Sequence, residues 1–85
     1  MFLHTTKIDV LPGYRLHIQF NNGTAGEVCL QNELWGEVFE PLKDEQLFAT
    51  AHQNDEMGTV VWANGADFAP EFLFDLLQTQ SQKAA

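Results

Sequence analysis

Residues 60–72 read VVWANGADFAPEF and bring together the side chains of Trp62, Asn64 and Asp67. An indole, an amide and a carboxylate beside the start of a helix can recognise a small ligand or the backbone of a partner. Each side chain also has a structural use, because Trp62 can anchor a core, Asn64 can turn the chain and Asp67 can cap the helix. A strand–turn–helix corner with these structural roles explains all three residues, and a surface that binds a ligand or a partner is the alternative.

Other residues that could support catalysis or metal binding are scattered. His4, His17 and His52 lie far apart in the sequence, whereas a zinc site needs three or four converging ligands. Cys29 has no histidine or cation beside it that would activate a thiol. The acids of the middle segment lack the regular spacing of a calcium loop; they are Glu33, Glu37, Glu40, Asp44 and Glu45. We therefore expect a protein that is not an enzyme and that has no metal or cofactor.

Composition limits the partners and the compartment. The 85 residues predict one domain over residues 1–85, with twelve acids against four basic residues and a formal charge of −8. The electrostatic field of this negative charge repels a polyanion, so we expect no nucleic-acid binding by the chain alone. A small basic protein would be a suitable partner. A single cysteine favours a reducing compartment, and no signal peptide or bilayer-spanning stretch is present, which predicts a cytoplasmic protein without membrane contact.

The first thirty residues predict a three-stranded antiparallel meander. Apolar and polar residues alternate along YRLHIQF at 14–20, as in a strand with one buried face. Pro12-Gly13 before it suits a type II turn, and Asn22-Gly23 after it suits a type I′ hairpin. The third strand, at about 24–30, is expected to point Val28 and Leu30 inward.

The segment 31–48 predicts a connector of short helical turns. Its apolar spacing and the interruptions at Gly36 and Pro41 do not suit a strand, and Asn32 and Asp44 are candidate helix caps. Four of its side chains are expected to close one end of the core: Leu34, Phe39, Leu42 and Phe48. A second hairpin follows, with strands predicted at about 48–53 and 59–62.

A C-terminal helix is predicted from Ala69, with Pro70 in its first turn. Its apolar stripe contains Ala69, Phe72, Leu73, Leu76 and Leu77. Phe74 lies at the edge and widens the apolar arc to about 200°, more than one sheet face needs. A homodimer through this helix would cover Phe74, and so would the 31–48 connector. The polar tail at about 79–85 is expected to fray.

Several segments carry a family resemblance: FEPLKD at 39–44, GTVVW at 58–62, NGAD at 64–67 and APE at 69–71. With the hairpin YRLHIQFNNGTAGEVCL at 14–30, they resemble the small bacterial family catalogued as domain of unknown function 2442 (DUF2442). The sequence departs from the family at Ala63, where proline is usual, and at Cys29, where aspartate is common. The resemblance implies a small α+β domain. Relatives occur alone or fused ahead of a helix-turn-helix domain in regulators, or beside a small protein in a proposed toxin–antitoxin pair.

These observations combine into one prediction for fold and one for function. The fold should be α+β, with a mostly antiparallel sheet of four or five strands, one C-terminal helix and a short helical connector. The function should be that of a protein-interaction module, an acidic antitoxin-like or regulatory partner of a small protein. The alternative is a small-ligand sensing domain with a pocket beside Trp62 and Asp67. The candidate surface consists of Trp62, Asn64, Asp67 and Phe74.

Overall fold

The computed structural model describes residues 2–83, which form an α+β domain with antiparallel sheets and one long C-terminal helix. The strands are β1 (Thr5–Leu11), β2 (Arg15–Phe20), β3 (Ala25–Cys29), β4 (His52–Asn54) and β5 (Thr59–Val61). The helices are α1 (Glu45–Phe48) and α2 (Pro70–Lys83), and two short 3₁₀ helices cover Gln31–Glu33 and Glu40–Lys43. No helix in the described range is long and apolar enough to cross a membrane.

The predicted meander is confirmed, since β1, β2 and β3 pair antiparallel in that order. The inward residues Leu16, Ile18 and Val28 are fully buried, as their alternation predicts. Pro12-Gly13 turns the chain with Gly13 at φ +77°, but Tyr14 also takes a positive φ of 57°. This conformation is unfavourable for a bulky residue. The Tyr14 ring is held edge-on against Phe48 at 5.4 Å, and its hydroxyl donates a hydrogen bond to the Lys43 carbonyl.

The β2–β3 turn differs from the predicted type I′ turn. Only Gly23 has a positive φ, of 87°, whereas a type I′ turn needs two such residues. Gly23 N donates to Phe20 O at 3.2 Å and Phe20 N donates to Thr24 O at 2.8 Å, as in a three-residue loop. The Asn22 side chain accepts a hydrogen bond from Thr24 N at 3.0 Å. Such a bond to the backbone two residues later is typical of asparagine in turns.

The prediction of a single four- or five-stranded sheet is wrong, because β4 and β5 form a separate two-stranded sheet. Where β1 meets this hairpin, Thr5 N donates to Gly58 O at 2.9 Å. The Gln53 side-chain amide also binds Thr5: it donates to the Thr5 carbonyl at 2.7 Å and accepts from the Thr5 hydroxyl. Side-chain hydrogen bonds therefore replace the ladder that would join the two sheets.

The connector is helical as predicted, with different boundaries. Asp44 caps α1, and its carboxylate accepts from Gln46 N at 2.9 Å. The predicted cap at Asn32 is wrong, because the first 3₁₀ helix starts at Gln31 after Leu30 and has no side-chain cap. The strand predicted from 48 begins at His52, because Phe48 ends α1 and a turn follows.

Helix α2 packs on the sheet through Leu73 and Leu77, both buried in the core. A Cβ placed on Gly26 of β3 would lie 2.8 Å from a methyl group of Leu77, so the glycine permits this close approach. Of the polar tail expected to fray from about 79, residues 79–83 continue α2, and 84–85 lie outside the described residues. The Gln80 side chain accepts from Cys29 N and donates to Cys29 O, both at 2.8 Å, which fastens this turn of α2 to β3.

The buried apolar side chains form one core between the sheets, the connector and α2. They are Leu16, Ile18, Phe20, Val28, Leu30, Leu34, Leu42, Phe48, Val60, Trp62, Ala66, Leu73 and Leu77. Of the four connector residues predicted to close the core, Phe39 is only partly buried. That partial exposure belongs to the surface described below.

Candidate interaction surface

Trp62 is a core residue and offers no surface to a ligand. Its side chain is 1% exposed, and its indole Nε1 donates to Phe48 O at 3.0 Å. The ring lies 5.8 Å from Phe48 and, in an edge-on arrangement, 5.8 Å from Phe68. Trp62 therefore joins α1 to the segment before α2.

Asn64 forms the turn and also ties it to the connector. Its Oδ1 accepts from Ala66 N at 3.1 Å, and its Nδ2 donates to Val38 O at 3.0 Å. Gly65 has φ +86°, and Trp62 N donates to Ala66 O at 2.9 Å. This is the same loop geometry as in the β2–β3 turn. Both ends of the Asn64 amide are thus used within the fold.

Asp67 does not cap α2, contrary to the prediction. The helix begins at Pro70, and Leu73 N donates to Ala69 O at 3.2 Å, so Ala69 occupies the cap position. Asp67 instead forms an isolated antiparallel bridge with Val61. Its half-buried carboxylate makes no hydrogen bond or ion pair with another described residue. Of the three candidate residues Trp62, Asn64 and Asp67, only Asp67 keeps its functional group free of hydrogen bonds to described residues.

Phe74 packs against the chain's own sheet. Its ring lies edge-on to Phe20 of β2 at a centroid distance of 5.4 Å. The partly buried Phe74 thus packs on β2, a contact that the sequence did not predict. The apolar residue of α2 that remains open is Phe72, which is 38% exposed.

An aromatic cleft, which the sequence did not predict, opens beside this corner. Glu33, Trp35, Phe39, Phe68 and Phe72 line a space of about 220 Å³, and we call this set the aromatic cleft. Phe68 stacks on Phe39 at 4.4 Å with 9° between the rings and on Phe72 at 5.1 Å with 20°. Trp35 is 72% exposed. Adjoining aromatic side chains that stay open to solvent form an apolar patch, and such patches are typical of binding surfaces.

The walls of the aromatic cleft come from distant parts of the chain. Trp35 lies between buried Leu34 and Gly36, which has φ +90°. Leu34 fills the core, so its neighbour Trp35 points outward. Phe39 follows in the same connector, whereas Phe68 and Phe72 flank the start of α2. The sequence does carry one signal for this cleft, four large apolar side chains within the six residues 34–39 of a short connector.

The two segments that supply the walls of the aromatic cleft are rich in acidic residues. These segments, 31–48 and 63–75, contain eight of the twelve acids and one of the four basic residues. Glu33 lies on the lining itself, and its carboxylate forms no ion pair or hydrogen bond with any residue in 2–83. Among the described residues, no group of three or more potential ligands is arranged to hold a metal ion.

Comparison with known proteins establishes the fold and the family. The chain superposes on the crystal structure of a "putative DNA binding protein" from Nitrosomonas europaea with a TM-score of 0.83 and 24% sequence identity. The match covers 96% of this chain and 53% of the other, so this chain spans about half the length of that protein. No curated protein matches the chain. Residues 5–78 match the model of a protein family of unknown function, and the chain therefore belongs to the DUF2442 family.

Proposed function

We propose that this protein is a non-enzymatic protein-interaction module that binds its partner through the aromatic cleft. The observation that carries the proposal is the exposure of Trp35 and Phe72 beside a stack of phenylalanines. Aromatic side chains are enriched at protein interfaces and supply most of their binding energy. Burying these two rings against a partner would remove their apolar surface from water, which favours binding.

The charge supports an acidic partner of a small basic protein, in an antitoxin-like or regulatory role. The net charge is −8, and the segments that form the aromatic cleft contain most of the acids. Electrostatic complementarity speeds association with a basic partner and disfavours acidic competitors. We place this module in the cytoplasm, because Cys29 has no second cysteine in the sequence with which to pair.

In this proposal, any role in transcription is exercised through protein contact. The Nitrosomonas protein is named for DNA binding, and it has about twice the length that this chain matches. Arg15 is paired with Glu27 at 3.1 Å, and Lys7 lies 3.9 Å from Asp9, so these two cations are partly neutralised. A duplex needs several basic residues on one face, which this composition does not supply.

A ligand-sensing role is the second candidate. Phe68 joins the aromatic cleft to Trp62, which it meets edge-on at 5.8 Å, and it directly follows the free carboxylate of Asp67. A metabolite in this cleft would raise the melting temperature by mass action. A thermal-shift screen of metabolites measures this, and stabilisation that Trp35→Ala abolishes would favour this candidate over a protein partner.

Affinity capture from the native host, followed by reconstitution, tests the main proposal. The baits are the wild type, the double variant Trp35→Ala/Phe72→Ala and the control Phe2→Ala, which removes an aromatic side chain that is 92% exposed and does not line the cleft. A partner should bind the wild type and Phe2→Ala and lose most of its affinity for the double variant. Titration calorimetry with the purified partner should give the same order.

Two controls exclude misfolding and self-association as explanations of the capture result. Circular dichroism and thermal melting of each bait establish that it is folded. Sedimentation of the wild type separates a hetero-complex from self-association through α2. The proposal fails if folded baits capture the same proteins regardless of the cleft, or if only a self-dimer forms.

A further inference from the structure

We propose that the aromatic cleft binds an arginine side chain from a basic segment of the partner, with the guanidinium against the rings and Glu33 as its counter-ion. This inference rests on the proposed function and adds the chemistry of the contact.

The rings provide the apolar and electrostatic part of such a site. A guanidinium is planar and stacks on aromatic faces, where the ring quadrupole attracts it. Tryptophan is the strongest partner for this contact, and Trp35 is the most exposed member of the aromatic cleft. The space of about 220 Å³ accommodates the end of one long side chain and is small for a folded element.

Glu33 provides the charge that separates a cation site from a general apolar site. It is half-buried on the lining, and it has no cationic partner among the described residues. A carboxylate and a guanidinium can form two parallel hydrogen bonds, which fix orientation as well as charge. In contrast, the exposed Glu27 is already paired with Arg15 at 3.1 Å.

The surrounding charge favours a basic segment over an isolated cation. Eight of the twelve acids lie in the two segments that form the aromatic cleft, with Lys43 as their one basic residue. An extended segment with several arginines would gain from this field along its length, while one guanidinium occupies the aromatic cleft. Lysine fits less well, because its compact ammonium is more strongly hydrated and does not stack.

The test uses the full chain and a synthetic peptide, Gly-Arg-Gly-Arg-Gly, with the citrulline and lysine versions as controls. Citrulline keeps the planar shape of arginine and removes its charge. We expect the arginine peptide to shift the NMR signal of the exposed Trp35 indole and to leave that of buried Trp62 in place. The lysine peptide should bind more weakly, and the citrulline peptide should give no saturable shift.

Two variants of equal charge separate a specific counter-ion from the general field. Glu33→Gln should weaken the arginine peptide about two- to fivefold, the usual range for one exposed ion pair or cation–π contact. Glu56→Gln makes the same charge change in the β4–β5 turn, outside the aromatic cleft, and should have little effect. Equal weakening by both variants would overturn the assignment of Glu33.

The remaining outcomes distinguish this inference from the proposed function. Choline binding at Trp35 without peptide binding would refute the arginine assignment in favour of a small quaternary ammonium ligand. If Trp35→Ala abolishes capture of the native partner while no arginine peptide binds, the interaction module stands and the arginine chemistry is wrong. If the peptide binds as described but no protein partner depends on the aromatic cleft, the site exists and the proposed function is wrong.

Discussion

Replacing Asn64 by alanine should loosen the corner that connects β5, the connector and α2. The structure contains its own control, because Asn22 occupies the equivalent position of the β2–β3 loop, just before a glycine of positive φ. Both amides accept a local hydrogen bond from the backbone two residues later, at 3.0 Å for Asn22 and 3.1 Å for Asn64. Only Asn64 also donates to a distant segment, reaching Val38 O at 3.0 Å.

The difference between the two alanine variants therefore measures the tertiary hydrogen bond. A net intramolecular hydrogen bond contributes about 0.5–1.5 kcal/mol. Asn22→Ala should lower the free energy of unfolding by one such bond, and Asn64→Ala by about two, a difference of about 1 kcal/mol. In a domain of this size, 1 kcal/mol corresponds to a melting temperature shift of about 4–8 °C.

Equilibrium urea unfolding and calorimetry measure this difference directly. Because Val38 adjoins Phe39, Asn64→Ala should also weaken partner capture through the aromatic cleft, whereas Asn22→Ala should not. Equal destabilisation by the two variants would refute the reasoning, since Asn64 would then act only as a turn residue.

Three further predictions concern stability. Gln80→Ala should lower the free energy of unfolding by about 1–3 kcal/mol, because it removes two hydrogen bonds to Cys29. The control Gln78→Ala, on the exposed side of α2, should change it by no more than about 0.5 kcal/mol in the same urea unfolding experiment. Trp62→Phe should cost about 1–3 kcal/mol, because it leaves a cavity and removes one of the two donors to the Phe48 carbonyl, which still accepts from Ala51 N at 3.2 Å; a calorimetric loss under 1 kcal/mol would contradict this assignment. Asp44→Ala should cost about 0.5–2 kcal/mol through loss of the α1 cap, with Asp44→Asn largely restoring stability in the same thermal melts.

The elements predicted well are those that depend on neighbours close in sequence. Alternation along β2 identified Leu16 and Ile18 as core residues, and Asp44 was recognised as a cap, since both patterns follow from the geometry of a single strand or helix. The surroundings of the candidate surface depend on contacts between segments distant in sequence. Trp62 and Asn64 make their hydrogen bonds within the fold. The exposed Phe72 was predicted to lie on the apolar stripe of the helix, and the exposed Trp35 was given no role.

The amino-acid sequence alone determined the family, the α+β class, the three-stranded meander and the acidic charge, because each depends on composition or on short periodic patterns. Tertiary structure decided which elements meet. Gln53 reaches Thr5 across 48 residues and links the two sheets, and Gln80 reaches Cys29 across 51 and ties α2 to β3. It also assembled the aromatic cleft from Trp35 of the connector and Phe72 of α2. Such contacts depend on packing between segments distant in sequence, which no local pattern encodes.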